Sequence, residues 1–249
     1  MVRLRRRRNP AATVTAGVVM GGVAVAAWVF QPPGMKVHEG ATAGQLLVSA
    51  DGRTLTLSIG WSCERQPDLV VRETADTVKV SIRHTVAPGF CDLGGYGRIT
   101  AQLKAPLGGR SLTDATTGRP VVHFDGRNLV RPTYLPDNYY PTPAYRMVQL
   151  PSAAPVPAGT PDWTTGYQVG TEPGAGSSLV IRQALGASTP PADRATTVNG
   201  RPATFTDPNP SHGPRSLTWS DGTYTFSVTS SGPTPLPDQE LIRVAQGLK

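Results

Sequence analysis

The chain has 249 residues and a formal net charge of +7, with 27 glycines and 25 prolines making up about a fifth of it. So much glycine and proline argues against a helical bundle, because both disfavour helix interiors, while recurrent short runs of β-branched and aromatic residues argue against disorder. Arg3, Arg5, Arg6, Arg7 and Arg8 crowd one end, leaving 19 basic against 17 acidic residues beyond them, so the rest lacks the basic footprint of a nucleic-acid binder.

After the arginines comes an uncharged run over residues 11–30, closed by Pro32, Pro33 and Gly34. A helix of that length spans about 30 Å, the thickness of a bilayer core. The run predicts a transmembrane helix over 11–30 acting as a signal anchor. Residues 1–10 then form a basic cytoplasmic tail by the positive-inside rule, and residues 35–249 are extracytoplasmic. Ala24-Val25-Ala26 resembles a small-x-small cleavage site, so secretion after signal-peptide cleavage is the alternative. On the anchored reading the lipid bilayer is a partner through residues 11–30.

Cys63 and Cys91 are the only cysteines. Export would place them in an oxidising compartment, where an even pair usually closes. The expected disulfide is worth about 4 kcal/mol on the chain-entropy model. The surrounding pattern is β. Residues 45–49 alternate weakly, Asp51-Gly52 reads as a hairpin turn, and 53–61, 69–73, 77–85 and 99–105 read as strands. A last strand is expected over 120–124. The glycines and prolines between these runs are turn material.

From residue 131 to 162 prolines alternate with tyrosines, predicting a stiff connection partly packed on the second domain. Residues 145–150 could open that domain as a strand. Strands are then expected at 167–169, 177–183, 217–219 and 223–229, with tight turns at Asn199-Gly200 and Asp221-Gly222. Trp219 and Tyr224 flank the second turn and are expected to pack across it. A helix over 238–248 presents Leu241, Val244, Ala245 and Leu248 as one apolar stripe. The fold class is therefore mainly β with minor α. It comprises a single N-terminal transmembrane helix, a small disulfide-containing antiparallel β-sandwich-like domain over 35–130, the connection over 131–162, and an α+β domain over 163–249. The last is an antiparallel sheet with a C-terminal packing helix.

Val198-Asn199-Gly200-Arg201-Pro202-Ala203, the segment from Leu217 through Trp219 and Gly222 to Tyr224, and Glu240-Leu241-Ile242-Arg243-Val244-Ala245 carry a resemblance. Together they are similar to the C-terminal signature of an extracytoplasmic domain of unknown function. That domain occurs in bacterial membrane-anchored proteins, including anti-sigma factors and sporulation or lipoprotein-carrier-like proteins. Gln239 stands where the signature has its first glutamate, and Val244 where it has isoleucine. The first half resembles ectodomains of actinobacterial membrane-anchored envelope proteins of unknown function, through Cys63, residues 77–83, Cys91-Asp92-Leu93, residues 103–110 and Asp114-Ala115-Thr116-Thr117-Gly118. The resemblance implies an envelope location and carries over no catalytic residue.

His38, His84, His123 and His212 are scattered, and only His123 has an acidic neighbour, Asp125, two positions on and so on the same strand face. No nucleophile elbow, zinc-protease motif or phosphate-binding glycine loop occurs. No catalytic residue, metal or cofactor is expected. Tyr134, Tyr139, Tyr140 and Trp163 are candidates for a binding surface, with local packing as the alternative. The leading function is an extracytoplasmic, membrane-anchored binding or structural module of the cell envelope with no chemistry of its own. It would meet an envelope protein or lipid and no nucleic acid. Alternatives are an accessory or regulatory subunit of a membrane complex, a lipid or lipoprotein carrier, and a cell-wall hydrolase.

Overall fold

A computed structural model describes residues 36–62, 65–86, 94–142, 157, 159–170, 176–187, 194–207 and 214–249. The chain divides into two compact units, Met1–Pro33 and Gly34–Lys249. The first lies outside the described residues.

The second unit begins with β1 (Lys36–Gly40), β2 (Leu46–Val48), β3 (Thr54–Ser62), β4 (Asp68–Glu73), β5 (Thr77–Val86), β6 (Gly94–Gln102), β7 (Ser111–Asp114) and β8 (Phe124–Asp125). Alternation explains which way they face. In β5, Val78, Val80 and Ile82 are buried while Lys79 and Arg83 are exposed. One sheet runs β1-β5-β4, with β7 also on β5; another runs β6-β3-β2-β8. They share a core of Leu46, Leu55, Leu57, Val78, Val80, Ile82, Ile99 and Leu112. Most pairs are antiparallel as expected, but β2 pairs β8 and β5 pairs β7 in parallel. A parallel pair needs a long return of the chain, which local pattern does not reveal.

The chain continues with β9 (Tyr139–Pro141), β10 (Asp162–Val169), β11 (Ser178–Leu185), β12 (Arg194–Val198), β13 (Arg201–Thr206), β14 (Arg215–Ser220), β15 (Tyr224–Ser231) and α1 (Asp238–Gln246). These strands form one antiparallel sheet in the order β12-β13-β14-β15-β11-β10-β9. Leu241, Val244 and Ala245 of α1 pack against Leu179, Ile181, Leu217, Phe226 and Val228 on one sheet face. Asp238 and Glu240 in the first helical turn suit its positive end. The opposite face carries Thr204, Ser216, Thr218, Thr225, Ser227 and Thr229, all buried. Residues 131–133 bond back to the C-terminus: Arg131 and Lys249 exchange backbone hydrogen bonds, and Thr133 N–H donates to the Gly247 carbonyl. Val130, Tyr134 and Leu135 pack on the same core.

Several boundaries differ from expectation. The strand expected at 99–105 begins at Gly94, because Trp61 lies over Gly95, where a Cβ would stand 2.5 Å from the indole. Gly95, read as turn material, is thus a close-approach site within a strand. The expected strand 145–150 lies outside the described residues.

Two further expectations are not met among the described residues. Among the described residues no helix is long and apolar enough to cross a membrane; α1, at nine residues, is about 14 Å long. No disulfide belongs to the described structure either. The tie between strands that a bridge was expected to provide is made by the backbone ladder joining β3 to β6 from Thr54↔Gln102 to Ser62↔Gly94. The predicted span 11–30, the cluster Arg3, Arg5, Arg6, Arg7 and Arg8, and both Cys63 and Cys91 fall outside the described residues.

Candidate functional site

β4 and β6 are edge strands, each with one neighbour in its own sheet, and they lie side by side along one flank of the first core. At one end they are clamped. Glu73 of β4 accepts from the Lys104 backbone N–H at 2.9 Å and from the Arg110 guanidinium at 2.8 Å. Those contacts, the Lys104 N–H foremost, hold the Glu73 carboxyl below its ordinary range. At the other end the edges part around a cleft of about 380 Å³ lined by Gln66, Pro67, Asp68, Leu69, Arg98, Ile99 and Thr100. An exposed side-chain bond spans it there, from Gln66 Nε2 to the Arg98 carbonyl at 3.3 Å.

Arg98 is the unusual group. β6 alternates, so Ile99 points into the first core while Arg98 points outward to β10. Its Nη2 donates to the Thr164 carbonyl at 2.6 Å, and its guanidinium carbon lies 4.8 Å from the centre of the Trp163 ring. Its Nε is buried without a hydrogen-bond partner. Burial pushes the guanidinium below its ordinary value, an effect partly opposed by the nearby hydroxyls of Tyr96 and Tyr167. Burial likewise raises both of those phenols.

Several other arginines in the described structure pair with carboxylates. Arg72 pairs with Glu39, Arg110 with Glu73, Arg127 with Asp125, Arg182 with Asp162, and Arg194 with Asp207 and Asp238. Arg98 makes no such ion pair among the described residues. An arrangement of this kind can hold an anionic group: a guanidinium is a fixed fork of donors matched to carboxylate or phosphate.

A second cavity, about 180 Å³, contains His123 and Asp125 together with Ser49, Asp51 and Arg127. Its carboxylates are already engaged. Arg127 Nε donates to both Asp125 oxygens at 3.0 Å, and this bonding, opposed by burial, holds the Asp125 carboxyl low. Asp51 accepts from the Ser49 hydroxyl and the Arg53 backbone N–H. His123 Nδ1 lies 3.3 Å from the Val121 carbonyl. A carboxylate so engaged is a poor proton acceptor, and among the described residues no three metal-binding side chains cluster.

The aromatic residues singled out in the sequence do not converge. Tyr139 and Trp163 are buried. The Tyr134 hydroxyl donates to Glu240 at 2.6 Å beneath the Arg243 guanidinium, 4.0 Å from the ring centre. Tyr140 alone is half exposed. Trp219 stands opposite Phe226 and stacks on it at 5.3 Å, while Tyr224 reaches Phe226 and, across to β8, Phe124. His38 and His84 stack at 4.9 Å across β1 and β5. Arg98 escaped sequence reading because the Gly-x-Gly-Arg context of 95–98 resembles a loop; its signal is an arginine in phase with Tyr96 just before the apolar alternation of Ile99 and Ala101.

Compared with protein-family models, with curated proteins and with solved structures, the chain has no match.

Proposed function

We propose that this protein is an extracytoplasmic, membrane-attached binding module of a bacterial cell envelope, holding a partner rather than transforming a substrate. The observation that supports binding is Arg98: a guanidinium beside a cleft, backed by Trp163 and without an ion-pair partner among the described residues. A partly desolvated cation burdens the fold unless an anionic group compensates it. Where such a group borders a cleft, it marks a candidate site. Placement outside the cytoplasm rests on the arginine cluster ahead of the uncharged run 11–30. The likeness of 198–245 to an extracytoplasmic domain supports the same placement. Attachment to the bilayer would raise the module's effective concentration toward its neighbours there.

Crosslinking in intact cells, followed by mass spectrometry of the adducts and of the mature N-terminus, tests this reading. It expects an envelope component among the adducts, captured less by the Arg98→Gln protein, and cleavage within 35–249 by protease added outside. Protection of 35–249 from that protease would remove the placement. Identical adducts in equal yield from both proteins would remove Arg98 from the binding role.

A further inference from the structure

We infer that a cavity at the joint between the two halves binds one ring of a neutral saccharide through Gln45 and Asp162. The inference goes beyond the Arg98 reading and concerns a separate site. The cavity measures about 280 Å³; Gln45 and Val122 line it from the first half, and Pro157, Asp162 and Arg182 from the second. Binding cavities favour such joints. Asp162 is bonded lopsidedly. Its Oδ2 accepts from Gln45 Nε2, from Arg182 Nε at 2.7 Å and from Arg182 Nη2 at 2.6 Å. Its Oδ1 accepts from no group among the described residues. Gln45 Nε2 also donates to Thr164 Oγ1 at 3.1 Å, and the Oε1 of that amide likewise has no partner among the described residues. Neither oxygen is sealed from solvent. The Asp162 side chain is only 12% exposed, so the solvent that reaches it is that of the cavity it lines.

The lining carries one carboxylate and one guanidinium, and they neutralise each other as an ion pair. An anion would set its oxygens against two acceptors, because the Arg182 Nε and Nη2 are both engaged by Asp162 Oδ2. A cation would meet Arg182 beside the carboxylate. An apolar group would strip water from two acceptors and return no hydrogen bond. What remains is a neutral molecule rich in hydroxyl donors. Neighbouring hydroxyls of a sugar ring can donate to Asp162 Oδ1 and Gln45 Oε1, and a hydrogen bond to a charged oxygen is among the stronger kind. The C–H face of the ring would lie on Pro157 and on Val122, an apolar side chain left 44% exposed. The volume is just below the lower end of drug-sized pockets, about 300 Å³, so it suits one ring.

The test uses the full-length protein in a sugar-free detergent. The probes are the methyl glycosides of glucose, galactose, mannose and arabinose, with glucuronate and glucosamine as charged rings. Saturation-transfer NMR should show at least one neutral glycoside bound. Its Kd should be on the order of 1 mM, as for roughly twelve non-hydrogen atoms at ordinary ligand efficiency. Glucuronate and glucosamine should bind about tenfold more weakly or worse. Backbone amide shifts should move at residues 44–46, 122 and 159–162. Asp162→Asn should invert the preference: the neutral glycoside weakens about tenfold, while glucuronate, now facing an uncompensated Arg182, binds more tightly. The charge comparison and the shift map are made on the unaltered protein, so they decide the matter even if that variant misfolds. No neutral glycoside bound, a charged ring bound as tightly as the best neutral one, or shifts away from this joint would each overturn the inference. The crosslinking of Arg98→Gln reads the other cleft, so either reading can fail without the other.

Discussion

The two cores solve the same problem differently. Around the second core one antiparallel sheet is built largely from neighbours in sequence, β12 to β13, β13 to β14 and β14 to β15, and a single helix seals one face. Around the first, two small sheets are built with pairings that are distant in sequence, including the parallel pairs β2–β8 and β5–β7, and meet through a shared core. The hairpin-built sheet keeps its strands registered by turns. The other must be held by side chains that reach across, and two of its edge strands, β4 and β6, lie side by side along one flank. The candidate site falls on this half, beside the two edge strands.

Core truncation probes whether these halves stand or fall together. Leu57 and Leu217 are each almost wholly buried, one in each core. Leu57→Ala and Leu217→Ala should each cost about 2–5 kcal/mol. The halves are joined by Gln45 Nε2 to Thr164 Oγ1 at 3.1 Å, by Arg98 to the Thr164 carbonyl, and by Gln183, which takes the Val130 N–H at 3.0 Å and donates to the Asn128 carbonyl at 2.8 Å. Both variants are accordingly expected to lower one shared transition in urea, followed by tryptophan fluorescence and circular dichroism. A second, separately moving transition in either variant would mean the halves unfold independently.

A smaller effect should come from Asp114, the main long-range polar tie of the first core. Its carboxylate accepts from Thr42, Thr116 and Thr117, each through both backbone N–H and hydroxyl, at distances up to 3.0 Å. Burial favours the neutral acid, but these donors outweigh it and hold the carboxyl well below its ordinary range. The sign follows from linkage. The folded value lies below the unfolded one, about 3.9, so the contribution is full above about pH 4 and is lost as pH falls below it. Asp114→Asn should cost about 2–3 kcal/mol at pH 7 and flatten the acid limb of the stability curve. An unchanged acid limb in denaturation series between pH 2 and 7 would contradict this.

The same contrast governs what could be read from the chain. Turn chemistry at Asn199-Gly200 and Asp221-Gly222, and the stripe Leu241, Val244 and Ala245, are local signals, and the hairpins and α1 appear where they predict. The segment 111–117 was assigned no element from the sequence; its Asp114 draws Thr116 and Thr117 from its own loop but Thr42 from far upstream. β7 and β8 owe their strand character to partners far off in sequence, β5 and β2, that no periodicity announces. Arg98 was hidden for a related reason: its distinction is the burial of its guanidinium against Thr164 and Trp163, a property of the surroundings rather than of the residue. The strand it occupies looked like a glycine loop because Trp61, its cross-strand cover, comes from β3.

Glycine offers the sharpest small-scale version of this difference. Gly95 is required by a neighbour: an added Cβ would lie 2.5 Å from the Trp61 ring, so Gly95→Ala must push the indole aside, at about 1–3 kcal/mol. Gly200 is required by its own backbone. Asn199 and Gly200 have φ of 49° and 76°, the pair of positive angles that matches a two-residue turn to the twist of its strands. Nothing lies within 4 Å of a Cβ at Gly200. Gly200→Ala should therefore cost only the left-handed strain of an L-residue, about 1–2 kcal/mol. Trimming Trp61 separates the two causes. In a Trp61→Ala background the penalty of Gly95→Ala should largely disappear, whereas that of Gly200→Ala should be unchanged, since distant sites add. A Gly95→Ala penalty that survives loss of the indole would show that β6 needs its glycines for backbone reasons.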